Sequence, residues 1–254
     1  MDRLARKVTL MSVIMRPADP ALVSVVIPTW RERENIDGLL SSLGGDDRSV
    51  EIIVADAGSG DGTAERAGDH GSTRVTTSPR GRARQLNRGA EAARGEILWF
   101  LHADSRPPEG AVDLIRRTLD DSRISLGAFR FAIDSPRWRY RIIELGVRVR
   151  ARWFGVPYGD QGFFLRRSAF EKVGGFRDIP VLEDLYLVRA LKRQGRIAIV
   201  EASLPTSARR WEQLGAARVT LRNWKIIALD WAGVSPARLA RVWRGSATDT
   251  MPGS

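Results

Sequence analysis

Cysteine is absent from all 254 residues of this chain. That excludes disulfides, thiolate metal sites and cysteine nucleophiles, and it is compatible with a reducing compartment. Also missing is any uncharged apolar run of about 18 residues, the length that would suggest a bilayer-spanning helix. The longest apolar-looking segment, Trp224 to Val234, is broken by Lys225 and Asp230. The expected location is therefore the cytoplasm, with peripheral contact to the inner face of the membrane left open. Internal repeats and low-complexity tracts are lacking too, and lysine supplies only four of the 41 cationic side chains.

What is present suits a globular enzyme. Hydrophobic residues make up 43% of the chain, enough to bury the core of one large α/β domain with a helical appendage. The formal charge is 41 − 30 = +11, carried mostly by arginine, whose planar fork matches phosphate bidentately. A GC-rich genome spells its cations the same way, so the arginine bias alone names no ligand. The surplus charge still implies attraction to anionic surfaces: nucleotides, nucleic acid or lipid headgroups. Residues 1–20 join a charged run, Asp2 to Lys7, to the weakly apolar Val8 to Met15. Arg16 interrupts the run and no small-residue cleavage site follows, so a flexible extension is expected, with Met11 and Met15 as alternative starts.

Periodicity predicts strands alternating with helices. Ala21 to Ile27 is a β-branched run ended by Pro28, followed by a helix over Glu32 to Leu43 closed by Gly44-Gly45. Further strands are expected at Glu51 to Ala55, Val75 to Ser78 and Glu96 to His102, with a helix over Arg82 to Ala93. Continuous apolar strands joined by helices indicate βαβ units and a parallel sheet buried on both faces. The second half reads as a strand at Leu126 to Ile133, a basic helix over Trp138 to Phe154, and a short strand at Asp160 to Leu165. Helices follow over Ser168 to Val173 and Glu183 to Gln194, then a last strand at Ile197 to Val200. Trp211 to Trp243 reads as helical, broken near Gly233 to Pro236. The predicted organisation is a flexible extension over 1–20, an α/β domain over 21–205 and a helical arm and tail over 206–254.

Polar residues gather at the expected strand ends, where parallel sheets bind ligands. Pro28, Thr29 and Glu32 follow the first strand; Asp56, Gly58 and Ser59 follow the second, within a glycine-rich turn. Asp56 is placed to accept a hydrogen bond from a base or ribose, while Asp61 and Thr63 read as helix capping. His102-Ala103-Asp104-Ser105 ends the most apolar strand, and Asp104 there suits Mg²⁺ or Mn²⁺, which take oxygen ligands. Leu182-Glu183-Asp184 opens a helix, where the dipole alone would favour the acidic pair. A carboxylate at that position could instead deprotonate an acceptor hydroxyl.

The order Pro-Thr-Trp-Arg-Glu, Asp-Ala-Gly-Ser-Gly-Asp-Gly-Thr, His-Ala-Asp-Ser and Leu-Glu-Asp resembles the family 2 glycosyltransferases of GT-A fold, over roughly Leu22 to Val200. The resemblance implies a Rossmann-like, mostly parallel sheet flanked by helices. It implies that Thr29, Glu32 and Asp56 hold the donor nucleoside, usually uridine. It places Asp104 at the metal position of the family's D-x-D motif, and Asp184, beside Glu183, as catalytic base. Gly81 to Gly89 matches the segment that the family places beside the nucleotide, which brings in Asn87 and lets Arg82 or Arg84 take the arginine role. Gly159-Asp160-Gln161-Gly162 resembles the acceptor-side motif, and Ser207 to Trp211 is similar to the Q-x-x-R-W motif of processive members, with Arg209 and Arg210 either closing over the diphosphate or standing as exposed cations. Its glutamine is missing here. His102 stands where the family has the first D-x-D aspartate and is left three roles: ribose contact, quiet packing or metal ligation. Together the motifs resemble a small stand-alone bacterial subgroup.

The expected activity is inverting transfer of a sugar from a nucleotide-sugar donor, with a divalent metal, to a small-molecule or lipid acceptor. Two alternatives remain at this point: a basic nucleic-acid-binding module, suggested by the charge, and a degenerate donor-binding protein, suggested by His102. Nucleic acid is the less expected partner, because acidic strand ends repel phosphates. One helix adds a question of its own. Trp138, Ile142, Leu145, Val149 and Trp153 share a face beside several arginines, and the spacing is read first as a core-facing stripe. The other reading is an interfacial helix that reaches a lipid acceptor.

Overall fold

A computed structural model describes residues 21–43 and 49–245. The expected extension over 1–20 and the Gly44-Gly45 helix stop lie outside the described residues, as does the end of the tail. The first half alternates regularly: β1 (Val23–Thr29), α1 (Ile36–Ser42), β2 (Val50–Asp56), α2 (Thr63–Asp69), β3 (Thr73–Thr77), α3 (Arg82–Ala92), β4 (Ile97–Phe100) and α4 (Ala111–Leu119). The second half holds β5 (Ile124–Asp134), α5 (Trp138–Phe154), β6 (Phe164–Arg166), α6 (Arg167–Lys172), α7 (Glu183–Lys192) and β7 (Arg196–Ser207). Three helices follow: α8 (Arg209–Leu214), α9 (Ala216–Trp231) and α10 (Pro236–Gly245).

The seven strands form one sheet in the order β3-β2-β1-β4-β6-β5-β7. Four of its pairings are parallel; only the short β6 runs antiparallel to both its neighbours, β4 and β5. Alternation along β1 explains the layering. Val23, Val25 and Ile27 face a core shared with α1, α2 and α4, whereas Val26 faces the core under α3, α6 and α7. With both faces covered the strands have no solvent side, which is why they read as unbroken apolar runs. Strand order reverses between β1 and β4, and the crevice beyond their carboxyl ends is where the polar residues collect.

Several boundaries differ from the sequence reading, each for a local reason. Pro28 does not stop β1; the strand continues to Thr29 because Pro28 lies past the last rung shared with β4, where no ladder bond is lost. The first helix begins at Ile36, since the Glu32 carbonyl closes a turn with the Asn35 and Ile36 N–H groups. Asp160 opens no strand: Gly159–Gln161 is a 3₁₀ turn, and β6 starts at Phe164. The last strand is far longer than expected, because a register shift after Phe129–Val200 lets β7 resume pairing at Arg130–Ser203 and continue to Ser207. Gly215, at φ 79°, separates α8 from α9. The sequence reading places no element between His102 and Leu126; the structure puts α4 there, burying Ala111, Ile115 and Leu119.

The largest correction concerns α5. Its buried side is Tyr140, Glu144 and Ala151, with Ile143 and Val147 packed against Phe131, Ile133 and Ala208. The stripe read as core-facing points to solvent instead: Trp138, Ile142, Leu145, Val149 and Trp153 are all exposed.

The turn at Gly162 shows how tightly the far strands are joined. Gly162 has φ 62°, and a Cβ there would lie 2.6 Å from Leu204 and 3.2 Å from the Trp99 indole nitrogen. Gly162→Ala is expected to destabilise the protein by about 2 kcal/mol through strain and overpacking. Urea titration followed by circular dichroism measures this, and an unchanged midpoint would refute the packing argument.

Candidate active site

Three strand ends and two later loops build the crevice. At the end of β2 the buried Asp56 carboxylate organises its own turn. Its Oδ2 accepts the Gly58 and Ser59 N–H groups, both at 2.9 Å, and its Oδ1 accepts the Thr29 hydroxyl at 2.9 Å and the Ser59 hydroxyl. Four bonds fill a carboxylate's usual capacity, so a ligand that uses Asp56 must displace one of them. Ser59 also accepts the Arg31 N–H at 2.9 Å, which ties this turn to the end of β1. Asp61 accepts from the Thr63 N–H and hydroxyl, and Thr63 accepts the Glu32 N–H, so the pair acts as a brace at the start of α2.

Gln85, which the motif reading passed over, holds β1 and β2 together from below. Its buried amide donates to the Thr29 carbonyl at 2.7 Å and the Ala55 carbonyl at 3.0 Å. The signal for it was a polar residue on the inward face of an amphipathic helix. Asn87, expected beside the donor, instead exchanges two hydrogen bonds with the Phe176 backbone, at 2.7 and 2.9 Å. Its amide positions the loop before α7 and is occupied in that role.

Across the strand reversal, Glu32 and Asp104 are close enough for their charges to repel. Burial raises the Glu32 carboxyl above its ordinary value, with a hydrogen bond from Asn35 opposing and the Asp104 charge adding. Burial raises Asp104 as well, against a hydrogen bond from Thr206 and the attraction of Arg209. Thr206 and Arg209 arrive through β7: Ser105 bridges to Thr206, and the Arg106 N–H donates to the Pro205 carbonyl at 2.9 Å. The Arg210 side chain lies outside the described residues.

A second acidic pair opens α7. Glu183 is buried, and Arg82 Nε meets its Oε1 at 2.7 Å while Arg82 Nη2 lies 3.4 Å from Asp184 Oδ2. Burial raises the Glu183 carboxyl; Arg82 opposes that rise and the Asp184 charge adds to it. Asp184 is oriented by two backbone donors, the Gly159 N–H at 2.9 Å and the Leu185 N–H at 2.8 Å. A Cβ at Gly159 would sit 2.6 Å from the Arg82 guanidinium, so a side chain there would push that guanidinium aside. Arg84 is committed elsewhere, to Asp178 at 2.9 Å. Asp160 lies near enough to Arg82 to stabilise its charge. Gln161 and Gly162, expected on the acceptor side, serve the turn. The buried Gln161 amide accepts the Tyr158 N–H at 3.1 Å and donates to the Phe129 carbonyl at 2.9 Å.

Among the described residues only Arg31 and Leu182 are non-glycine residues at positive φ, 55° and 64°. Both adjoin this crevice, one after β1 and one before Glu183, and strained backbone of this kind gathers at functional sites.

No three His, Asp or Glu side chains converge as a metal cage among the described residues. The donor set nevertheless fits a hard divalent cation. Asp104 and Glu32 form a poorly solvated carboxylate pair, and the remaining positions would fall to diphosphate oxygens and water. His102, two residues before Asp104, is partly buried at the end of the same strand.

Sequence comparison decides the family. The model of glycosyl transferase family 2 matches residues 24–177. The chain belongs to that family. Its charge is thus that of a glycosyltransferase rather than of a nucleic-acid-binding module. An uncharacterized protein of Mycobacterium tuberculosis is 30% identical over 68% of the transferase and 62% of its own length. The undecaprenyl-phosphate 4-deoxy-4-formamido-L-arabinose transferase of Pseudomonas aeruginosa is 31% identical over 66% and 55% respectively. The chain therefore spans little more than half the length of these curated relatives. In fold, the transferase resembles a mannosyltransferase from Pyrobaculum calidifontis in complex with GDP-Man and Mn²⁺. That likeness has a TM-score of 0.64 at 18% identity, covering 92% of this chain and 78% of the other. Glucosyl-3-phosphoglycerate synthase from Mycobacterium tuberculosis, in complex with Mn²⁺, UDP and glucosyl-3-phosphoglycerate, matches with a TM-score of 0.59 at 24% identity, over 77% and 75%. The architecture is thus the GT-A fold.

The raised carboxyls give a pH prediction. A cation held by Asp104 and Glu32 competes with protons, and burial raises both carboxyls above their ordinary values. Mn²⁺ binding in the presence of UDP should therefore weaken on acidification sooner than an unperturbed carboxylate would allow, and should release protons. Calorimetry in buffers of different ionisation enthalpy measures the release. Asp104→Asn should flatten the pH dependence; a wild-type affinity that ignores pH down to the ordinary carboxylate range would refute the arrangement.

Proposed function

We propose that the transferase moves a sugar from a nucleoside-diphosphate donor, UDP-linked in the first instance, to an acceptor hydroxyl with inversion at the anomeric carbon. The observation that carries this reading is the repelling, poorly solvated Glu32–Asp104 pair at the strand reversal, with Arg209 attracting both charges. Such a corner is electrostatically incomplete without a cation and a diphosphate.

In this reading the donor nucleoside lies over Pro28 and Thr29 and against the turn of Asp56, Gly58 and Ser59. Asp104 holds Mg²⁺ or Mn²⁺, with Glu32 beside it and His102 near the ribose. The metal, when bound, supplies a Lewis acid for the departing diphosphate. Arg209 approaches the same charge from the helical segment after β7, and Arg210 is placed with it by sequence alone. In this reading the domain over 21–205 carries most of the chemistry, and the arm that begins at 206 adds Thr206 and Arg209 to it.

On the acceptor side Asp184 takes the proton of the attacking hydroxyl. The Gly159 and Leu185 N–H groups aim its carboxylate, and Arg82 tethers it to Glu183. Asp160 belongs to the same corner through Arg82. Withdrawing Arg82 towards an incoming phosphate would uncover the Asp184 carboxylate, so donor binding and access to the base are linked. A second reading has a specific support: relatives are named as undecaprenyl-phosphate and dolichol-phosphate transferases. A phosphate acceptor is already ionised near neutral pH and needs no base.

Asp184→Asn separates the two readings. With a hydroxyl acceptor it should cut kcat by about 10²–10⁴-fold while leaving UDP and Mn²⁺ binding intact. Turnover assays with thermal-shift controls read both quantities. Near-full activity would remove Asp184 from the base role and favour a phosphate acceptor. Failure of every nucleoside diphosphate to stabilise the protein, with or without Mn²⁺, would refute the donor site itself.

A further inference from the structure

The face of α5 that the sequence reading assigned to the core is an exposed apolar strip with nothing packed on it among the described residues. Trp138 is 74% exposed, Ile142 61% and Trp153 80%, and Leu145 and Val149 lie between them. At 3.6 residues per turn these five side chains fall within one narrow sector, opposite the buried Tyr140, Ile143, Glu144, Val147 and Ala151. The arginines occupy the two boundaries between those sectors: Arg141, Arg148 and Arg152 on one side, Arg139 and Arg150 on the other. The single acid of the helix, Glu144, is buried, donating nothing to the surface charge; it accepts the Ile133 N–H at 2.7 Å and pairs with Arg141.

We propose that this face docks α5 on an anionic membrane surface, which rests on and extends the transferase reading by placing the acceptor in the lipid phase. The chemistry of the strip matches an interface rather than a second protein. Tryptophan stands at both ends of the apolar sector, where an indole ring sits well at headgroup level. Arg148 on one flank and Arg139 on the other would lie at the depth of lipid phosphates, with their stems along the apolar strip, while Arg141, Arg150 and Arg152 are tied to Glu144, Tyr158 and Glu201. A two-fold contact between copies of this face would instead set arginine flank against arginine flank, which like-charge repulsion disfavours.

The position of α5 connects the surface to the chemistry. Arg150 donates to the Val156 carbonyl at 3.0 Å and stacks 3.4 Å over the Tyr158 ring. Tyr158 begins the turn whose Gly159 N–H holds Asp184. A lipid surface against α5 would thus lie a few residues of chain away from the acceptor-side carboxylate.

The test uses the full chain and flotation with two kinds of vesicle, phosphatidylcholine alone and an equal mixture of phosphatidylcholine and phosphatidylglycerol. Binding to the anionic vesicles should exceed that to neutral ones by about tenfold or more, weaken with added salt, and shift tryptophan emission to the blue. Replacing Trp138→Ser and Trp153→Ser together should lower that binding by about tenfold or more. Both side chains are exposed, so the stabilisation of this variant by UDP with Mn²⁺ should match wild type and report an intact fold. No vesicle binding by the wild type, or equal binding by the variant, overturns the proposal. So does a concentration-dependent dimer that the double replacement abolishes without any vesicle binding. Persistence of the nucleotide response in those cases leaves the transferase reading standing; loss of both would end it too.

Discussion

A parallel sheet leaves carbonyls and turn N–H groups at its carboxyl edge that no ladder can satisfy, and where strand order reverses no helix covers them. In this transferase that edge is satisfied from within the chain. Gln85 reaches two carbonyls from the helix below, and Asp56 gathers two backbone N–H groups and two hydroxyls into one turn. The crevice is therefore preorganised in its neutral parts. What stays unbalanced is its charge, concentrated in Glu32 and Asp104.

The two acidic pairs of the site are treated differently. Glu183 and Asp184 share a cation already present in the fold, Arg82, and Asp184 has two backbone donors besides. Glu32 and Asp104 are held mainly by hydrogen bonds: an Asn35 amide on Glu32, and on Asp104 a 3.3 Å bond from Thr206 with backbone donors from Asp104 itself and Ser207, while Arg209 attracts both from longer range. A half-buried charge without a close counter-ion carries a solvation cost, so the imbalance is a directional preference for whatever ligand brings positive charge.

Much of this was legible in the residues. β1, β2 and β4 announce themselves because strands covered on both faces must be apolar throughout, and the turn after β2 announces itself by glycine. Other features depend on distance in space. Asn87 and Gln85 sit two positions apart on one helix, yet one pins a loop and the other a sheet edge; spacing alone cannot say which. The α5 stripe has the period of a core-facing helix, and periodicity carries no information about which of two apolar sectors meets the protein. The helix α4 buries only Ala111, Ile115 and Leu119, a sparse pattern that follows a proline-rich turn. The length of β7 depends on a register shift that lets pairing resume, and no local sequence signal marks it.

That shift in β7 also bears on when the site comes into being. The half of the strand before it is paired like any sheet edge, while the half after it carries Thr206 and leads to Arg209. A chain emerging from the ribosome displays Asp56 and Asp104 long before it displays the residues that close over them. With the chain made only as far as Val200, Asp104 lacks both the Thr206 hydroxyl and the Arg209 charge. The Asp104 corner is in this sense completed late in synthesis, by a strand end 102 positions further along the chain.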